Sequence, residues 1–267
     1  MCCERSPMIA VQRAMERQHQ RSRTQEIWFT FDPRDGNAPF AAGFGTLELL
    51  NEIRMAPGAA IPRNTRRDVE LVTYVHEGCL AYEDSMGHSG VLQAGDFQRV
   101  TSGRSLRHSK MNMSRTDWAH FYQLWLRPSE TELEPGFVQK RFSAAERRGG
   151  LCLVASPQGR MGSLVLHADV AISSALLDQG QHVVRELSNG RCAWLHVVQG
   201  EVTLGDEILA SGDGAGIREE RAVSVRARTA SEILLLDLTA VPVQLPTIWP
   251  SDTSREAASA RATDSPG

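Results

Sequence analysis

The sequence predicts an all-β protein made of two antiparallel β-barrels. Residues 44–127 consist of short apolar segments separated by turn residues, which is typical of a sandwich or barrel. A second block of the same kind covers residues 151–238. Gly and Pro recur too often in both blocks for long helices. The chain has 267 residues, which is enough for two ordinary domains.

The first block divides into strands at its turn residues. Residues 46–55 alternate loosely between apolar and polar, and Ala-Pro-Gly then stops the pattern at Gly58. Residues 70–75 are rich in β-branched and aromatic side chains and end shortly before Gly78. Further strands are predicted from the same signals at 80–83 before a turn at 85–87, and at 91–92 before a turn at 94–96.

A polar segment separates the two blocks. Within it, Ser143 and Glu146 have the spacing of a helix N-cap with its capping box. The predicted organisation is an N-terminal segment 1–39 that contributes a strand from about residue 8, a first barrel 40–128, a linker 129–150, a second barrel 151–240 and a largely disordered tail 241–267.

The two blocks share a weak internal repeat. Residues 193–204 repeat the strand-Gly-strand pattern of 72–81, and residues 205–215 repeat the pattern of 90–97. This duplication supports two stacked units of the same design.

Composition excludes several classes of function. The net charge of -3 gives no overall electrostatic attraction for nucleic acid. The five cysteines are odd in number and have no paired spacing, which predicts reduced thiols in a cytoplasmic protein. No segment has the apolar length of a signal peptide or of a membrane span.

Several segments, taken in order and spacing, resemble one known family. They are residues 8–11 with Glu16 and Arg17, 28–31, 58–70, 84–87, 94–98, 101–112 and 120–126 followed by Pro128. Over roughly residues 8–240 the chain resembles the pirin family, the bicupins that include bacterial quercetin dioxygenase-like proteins. The resemblance implies two double-stranded β-helix barrels, with short helices in the linker and C-terminal parts.

The resemblance also implies where a metal site belongs. In the pirin family, a His-x-His and a His-x-Glu motif bind one iron-like divalent transition metal, and the matching positions here are Asn64, Arg66, His108 and Lys110. Arginine has no acceptor, and lysine binds a metal only without its proton. Phe29 also stands where the family usually has His. We therefore interpret the four positions as a degenerate metal site, expect no cofactor and assign no catalytic residue.

The same four positions have a second interpretation as a ligand pocket. If their backbones follow the family's ligand positions, as the resemblance implies, Arg66 and Lys110 face the interior of the first barrel, because strand alternation fixes the side on which each points. With His108 they would bind a carboxylate, phosphate or phenolate. In the alternative, Arg66 or Arg67 pairs with Asp68 or Glu70, and Lys110 reaches solvent.

The remaining histidines do not replace the missing ligands. We expect His76 and His88 to be solvated, and His120 and His196 to be hydrogen-bonded within apolar strands. His182 lies where the second barrel's first motif would be, but no second histidine follows it two residues later.

These observations favour a pirin-like bicupin that acts by binding. The expected partner is a small anionic or phenolic ligand, or a protein, and neither nucleic acid nor a membrane. The competing hypothesis is a metal-dependent quercetin 2,3-dioxygenase-like oxidoreductase. Because the ligand set is broken, we lean against an enzyme.

Overall fold

Four β-sheets stack in layers to form two sandwiches. The computed structural model describes residues 8–31, 40–104 and 106–240, and of Met8 and residues 62–66 it describes the backbone alone. The tail 241–267, predicted to be disordered, lies outside the described residues. No helix in the described ranges has the length and apolarity needed to cross a membrane.

The first sandwich contains eleven strands. They are β2 Gln18–Arg21, β3 Gln25–Phe29, β4 Leu47–Met55, β5 Ala60–Arg66, β6 Glu70–Glu77, β7 Cys79–Asp84, β8 Ser89–Gln93, β9 Asp96–Thr101, β10 Leu106–Asn112, β11 Ala119–Leu126 and β12 Gly136–Arg141; β1 is Met8–Gln12. A seven-stranded antiparallel sheet has the order β12-β9-β6-β11-β4-β3-β2. A four-stranded sheet, β5-β10-β7-β8, faces it.

The second sandwich repeats this arrangement. Its strands are β13 Cys152–Ser156, β14 Leu164–Val165, β15 Val170–Leu177, β16 His182–Glu186, β17 Arg191–Gln199, β18 Glu201–Leu204, β19 Glu207–Ala210, β20 Gly214–Arg218, β21 Ala222–Ala227 and β22 Ser231–Thr239. The seven-stranded sheet is β1-β20-β17-β22-β15-β13-β14, and the four-stranded sheet is β16-β21-β18-β19. The predicted all-β bicupin fold is confirmed, although each unit is a pair of facing sheets rather than a closed barrel.

The largest apolar core lies between the two seven-stranded sheets. It combines residues of the first sandwich, such as Leu50 and Leu124, with residues of the second, such as Leu234. Trp194 is fully buried at its centre and contacts the ring of Phe31 at a centroid distance of 4.9 Å. Aromatic and aliphatic burial between the sheets therefore joins the two sandwiches into one body.

Each sandwich also contributes one strand to the other. Strand β1, from the N-terminal segment, pairs with β20 of the second sandwich. Strand β12, from the segment predicted as a linker, pairs with β9 of the first sandwich. The exchange covers one edge of each seven-stranded sheet.

The internal repeat corresponds to the same turn in both sandwiches. Gly78 joins β6 to β7 with φ 84°, and Gly200 joins β17 to β18 with φ 88°. Both positions have the left-handed backbone conformation that favours glycine. The strand before each glycine also carries a register shift against its partner near the turn.

The short helix α1, Ala144–Arg147, begins as the sequence predicts. The Ser143 side chain accepts a hydrogen bond from the Glu146 backbone N–H, and the Glu146 carboxylate accepts one from the Ser143 N–H. This reciprocal pair satisfies two N–H groups that the first turn leaves free.

Candidate functional site

The interior of the first sandwich has a polar middle between two apolar ends. One apolar cluster combines both sheets at one end, with residues that include Leu71, Tyr82 and Leu106. The other does the same at the opposite end, with residues that include Val75 and Leu80. We call the space between these two clusters the interior layer.

Lys110 lies in the interior layer. Burial alternates along β10, and the Lys110 side chain is inward with an exposed fraction of 1%. Its Nζ atom lies 5.4 Å from the centroid of the Tyr82 ring and has no hydrogen-bond partner among the described residues. Burial lowers the pKa of Lys110 to about 7. The amine is therefore held in the interior without a counter-charge from the described residues.

His108 stands beside Lys110 on the same face of β10. Its exposed fraction is 9%, and its ring stacks on Tyr82 at a centroid distance of 6.0 Å. The Tyr82 hydroxyl donates to Asp84 Oδ2 at 2.9 Å, and the same oxygen lies 2.9 Å from His88 Nδ1. Burial would raise the pKa of Asp84, but the hydrogen bonds from Tyr82 and His88 hold it below its usual value. This network fixes Tyr82, which forms one wall of the interior layer.

Across the layer, the seven-stranded sheet presents a row of uncharged polar side chains. Asn51 is opposite Gln123, Gln123 is opposite Thr73, and Thr73 is opposite Gln98, so the four occupy successive partner positions on β4, β11, β6 and β9. All four are buried. Their neighbours along each strand, such as Tyr74, face the other sandwich. We call these four residues the polar row.

The other two predicted site residues are described by backbone alone. The backbone of Asn64 pairs with His108, and the backbone of Arg66 pairs with Leu106, which lies two residues before His108 on β10. Strand pairing therefore places these backbones beside β10. That their side chains share the interior layer with Lys110 stays a prediction.

The alternative in which these cations pair locally or reach solvent is wrong for Lys110, which is buried. The two carboxylates proposed as partners are engaged elsewhere. Asp68 accepts a hydrogen bond from the Glu132 backbone at 2.8 Å. Glu70 accepts two from the backbone of the second sandwich, at His167 and Ala168.

A second polar cluster lies between the sandwiches. His76 Nδ1 is 3.1 Å from the carboxylate of Glu232, which also accepts a hydrogen bond from Arg147 at 2.7 Å and one from the Tyr74 hydroxyl. Burial would raise the pKa of Glu232, but the hydrogen bonds from His76 and Tyr74 lower it. The expectation that His76 is solvated is therefore wrong, because a carboxylate 156 positions later in the chain is its partner.

Glu52 organises the rest of this cluster. It accepts a hydrogen bond from Arg17 at 2.7 Å and lies 2.9 Å from His120 Nε2, as expected for a histidine bonded within a strand. Burial would raise the pKa of Glu52, but the hydrogen bond with His120 and the charge of Arg17 lower it to about 2. His196 differs from expectation, because neither ring nitrogen has a hydrogen-bond partner among the described residues. Burial, together with the Arg17 charge, lowers its pKa to about 3.

Neither the cluster nor the cysteines form an evident reactive centre. Within the described ranges, no group of three or more His, Cys, Asp or Glu residues is arranged to hold a metal ion. Cys79, Cys152 and Cys192 are unpaired, and burial raises the pKa of each thiol. His182 is exposed on the outer face of the second sandwich, 2.7 Å from Ser224 Oγ.

Sequence reasoning did not identify the polar row. Thr73 and Gln123 each lie within a run of apolar or aromatic residues, and that isolation was the available signal. Only the pairing register reveals that these residues are neighbours.

Two family models match the chain. A model described as "Pirin" matches residues 10–126, and one described as "Quercetinase C-terminal cupin domain" matches residues 153–238. Among named relatives, a "Quercetin 2,3-dioxygenase" of Escherichia coli K12 is 35% identical over 231 residues, covering 86% of this chain and 99% of the relative. A "Pirin-like protein" of Caulobacter vibrioides is 27% identical over 208 residues, covering 78% and 87% of the two chains.

Solved structures give the same result. The crystal structure of YhhW from Escherichia coli superposes with a TM-score of 0.83 at 35% identity, covering 88% of this chain and 99% of YhhW. A structure of bacterial pirin YhhW in complex with nickel(II) gives a TM-score of 0.82 at 34% identity, covering 88% of this chain and all of the other.

The nickel complex corrects one prediction. We expected no cofactor, and this prediction is wrong, because the nickel-bound relative points to a metal cofactor. The residues at the four implied ligand positions do not fit that group. An arginine offers no lone pair, and Lys110 places an amine where the family has a carboxylate. This chain therefore differs from the donor set that the family resemblance implies.

The matched ranges coincide with the two sandwiches. The "Pirin" match ends at residue 126, where β11 ends, and the C-terminal match runs from β13 to β22. The 35% identical relative is covered over nearly its whole length. By fold, by both family models and by sequence identity, this chain belongs to the pirin family of quercetinase-type bicupins.

Proposed function

We propose that this protein binds a small organic anion in the interior layer of the first sandwich. Lys110 supplies the positive charge and His108 an adjacent hydrogen-bonding ring, with Asn64 and Arg66 completing the pocket. In this proposal the site acts by binding rather than by catalysis. The proposal includes a cytoplasmic location, which the free thiols of Cys79, Cys152 and Cys192 support.

The buried amine of Lys110 carries the proposal. A charged or strongly polar group in a protein interior is costly unless a partner offsets the loss of water. No described residue accepts a hydrogen bond from Nζ. A carboxylate or phenolate would provide the missing acceptor and charge. A small molecule is favoured over a protein partner because Lys110 is 1% exposed and a protein surface does not reach it.

A thermal-shift experiment tests this proposal. The chain contains two lysines, so Lys140→Met is a matched control for Lys110→Met. The probes are acetate, benzoate, phenol and inorganic phosphate. At about 100 times its Kd, a bound probe should stabilise the protein by roughly 2.7 kcal/mol, which raises the Tm by about 5 °C or more. The shift should persist in Lys140→Met and disappear in Lys110→Met. If no probe shifts the unmodified protein, or if the shift survives in Lys110→Met, the proposal fails.

The second candidate is a quercetin 2,3-dioxygenase, which the name of the 35% identical relative favours. Oxygen uptake with quercetin, measured with and without added nickel(II), decides between the two. Under the binding proposal, the unmodified protein consumes no oxygen in either condition. Quercetin-dependent oxygen uptake that nickel(II) stimulates would contradict the binding proposal and favour dioxygenase activity.

A triple variant tests whether the implied ligand positions control metal binding in this chain. Asn64→His, Arg66→His and Lys110→Glu together restore the donors that the resemblance implies. We expect nickel(II) to bind this variant more than about tenfold more tightly than the unmodified protein, because two cations are replaced by ligands. Calorimetric titration measures both affinities. Equal affinities would mean that these positions do not control metal binding in this chain.

A further inference from the structure

We infer that the polar row recognises uncharged hydroxyl or carbonyl groups on the ligand whose charge Lys110 binds. The ligand class is then a hydroxylated aromatic acid rather than a simple carboxylic acid. This inference rests on the proposed function and adds the part of the ligand that is not charged.

The row offers a continuous set of donors and acceptors. Each amide of Asn51, Gln123 and Gln98 both donates and accepts, and the Thr73 hydroxyl does the same. Directly opposite partners on neighbouring strands have Cβ atoms about 5 Å apart. Four such side chains in one line can therefore contact several groups on a single small molecule.

Much of this capacity is unused within the protein. Both amide atoms of Gln98, the Oγ1 atom of Thr73 and the Oδ1 atom of Asn51 are buried with no hydrogen-bond partner in the described ranges. A buried polar group without a partner costs about 1–3 kcal/mol. Such groups are uncommon in native proteins unless water, an ion or a ligand satisfies them. Their concentration in one row points to a bound molecule.

The second sandwich shows that the fold does not require this row. The equivalent positions follow from the shared glycine turn, since Thr73 precedes Gly78 by as many residues as Leu195 precedes Gly200. Strand pairing then aligns Leu195 with Leu235 and Ala215, and Leu235 with Ser173. Three of these four equivalents are apolar, so the same backbone packs without a polar row.

The surroundings of the interior layer select the shape of the ligand. The apolar cluster at one end presents Leu71 and Tyr82, and the cluster at the other end presents Val75 and Phe121. We infer that a flat ring lies between these two apolar surfaces, with its polar edges towards the polar row on one side and Lys110 on the other. A hydroxylated aromatic acid satisfies both requirements.

Calorimetric titration with two probes tests the inference. The probes are benzoate and 3,4-dihydroxybenzoate, which share the carboxylate and differ in the hydroxyl groups. The unmodified protein should bind the dihydroxy acid about tenfold or more tightly, as one or two added hydrogen bonds allow. Thr73→Val and Gln98→Leu should reduce that ratio to nearly one. Thr46→Val is the control. Thr46 lies outside the polar row, and its buried hydroxyl also has no hydrogen-bond partner in the described ranges, so this variant should leave the ratio unchanged.

The outcomes separate this inference from the proposed function. Equal affinity for both probes in the unmodified protein, or an unaltered ratio in Thr73→Val and Gln98→Leu, overturns the role of the polar row. The proposed function then stands if Lys110→Met still abolishes benzoate binding. If neither probe binds the unmodified protein, both conclusions fall. The ligand-free Tm of Thr73→Val should rise by about 2 °C, which excludes misfolding as the cause of a lost preference.

Discussion

The two sandwiches share a backbone design but differ in what fills them. Both place four strands against seven, and both have the same glycine turn. The second is filled by aliphatic side chains, among them Leu195 and Leu235. The first has a polar row and a buried lysine in its interior. Under the proposed function, one scaffold would serve a structural role in one half and a binding role in the other.

The comparison also concerns stability. A filled apolar interior contributes through burial and close packing. A polar interior without partners opposes folding until a ligand satisfies it. The first sandwich should therefore be improvable by apolar substitution, whereas the second should tolerate no polar substitution. The following predictions test that asymmetry.

The largest effect is expected from exchanging polar and apolar side chains at the two equivalent positions, Thr73 and Leu195. Leu195→Thr should lower the free energy of unfolding by about 4 kcal/mol, because it adds a cavity and a buried hydroxyl. Leu195→Val has nearly the same shape as Leu195→Thr, so the difference between these two variants separates the effect of the hydroxyl from the effect of the cavity. Thr73→Val should instead raise the free energy of unfolding by about 1 kcal/mol. Urea denaturation measures all three. A loss of stability in Thr73→Val would contradict the proposed asymmetry.

Lys110 should make the stability of the first sandwich depend on alkaline pH. Its pKa is about 7 in the folded protein and 10.5 in the unfolded chain. Between these values the unfolded chain binds more protons, so stability should rise with pH across that window. Lys110→Met removes the effect and should stabilise the ligand-free protein at pH 7 by on the order of 3 kcal/mol. Urea midpoints at pH 7 and pH 10 measure it, with Lys140→Met as the control. If the stability difference between Lys110→Met and the unmodified protein is the same at pH 7 and at pH 10, the pKa of Lys110 is not lowered in the folded protein.

His196 should produce a dependence of the same sign on the acidic side of neutrality. Its pKa falls from 6.5 in the unfolded chain to about 3 in the folded protein. The unfolded chain therefore binds the proton first on acidification, and stability falls as the pH drops from 6.5 towards 3. At pH 5 the loss should be about 2 kcal/mol. His196→Leu should abolish this component in acid titrations followed by tryptophan fluorescence. Parallel curves for the two proteins would refute the assignment.

Local signals predicted the elements well. The inward orientation of Lys110 followed only from the family's ligand positions together with strand alternation, and the alternative that Lys110 reaches solvent stayed open until the structure showed it buried. The spacing of Ser143 and Glu146 predicted the start of α1, since a capping box is completed within four residues. The glycine turns at Gly78 and Gly200 likewise depend on a single residue each.

Contacts between distant segments were not predictable in the same way. The partner of His76 is Glu232, and the polar row joins residues from four strands. Such neighbours are fixed by sheet register, which depends on the whole hydrophobic pattern rather than on any local motif. The missing partner of His196 also depends on packing between sandwiches. A sequence shows that the residue is buried but not what surrounds it.

The exchange of β1 and β12 determines what would happen if the backbone were cut between the halves. The connection after β11 includes the exposed residues 130–132 and the positive-φ residue Glu132. Exposed loops of this kind are where proteases act. A cut there would leave two fragments, each still hydrogen-bonded into the other's sheet by one strand. The fragments should therefore remain associated on a sizing column, and neither half is a separable module that could be expressed, transplanted or lost without taking an edge strand from its neighbour.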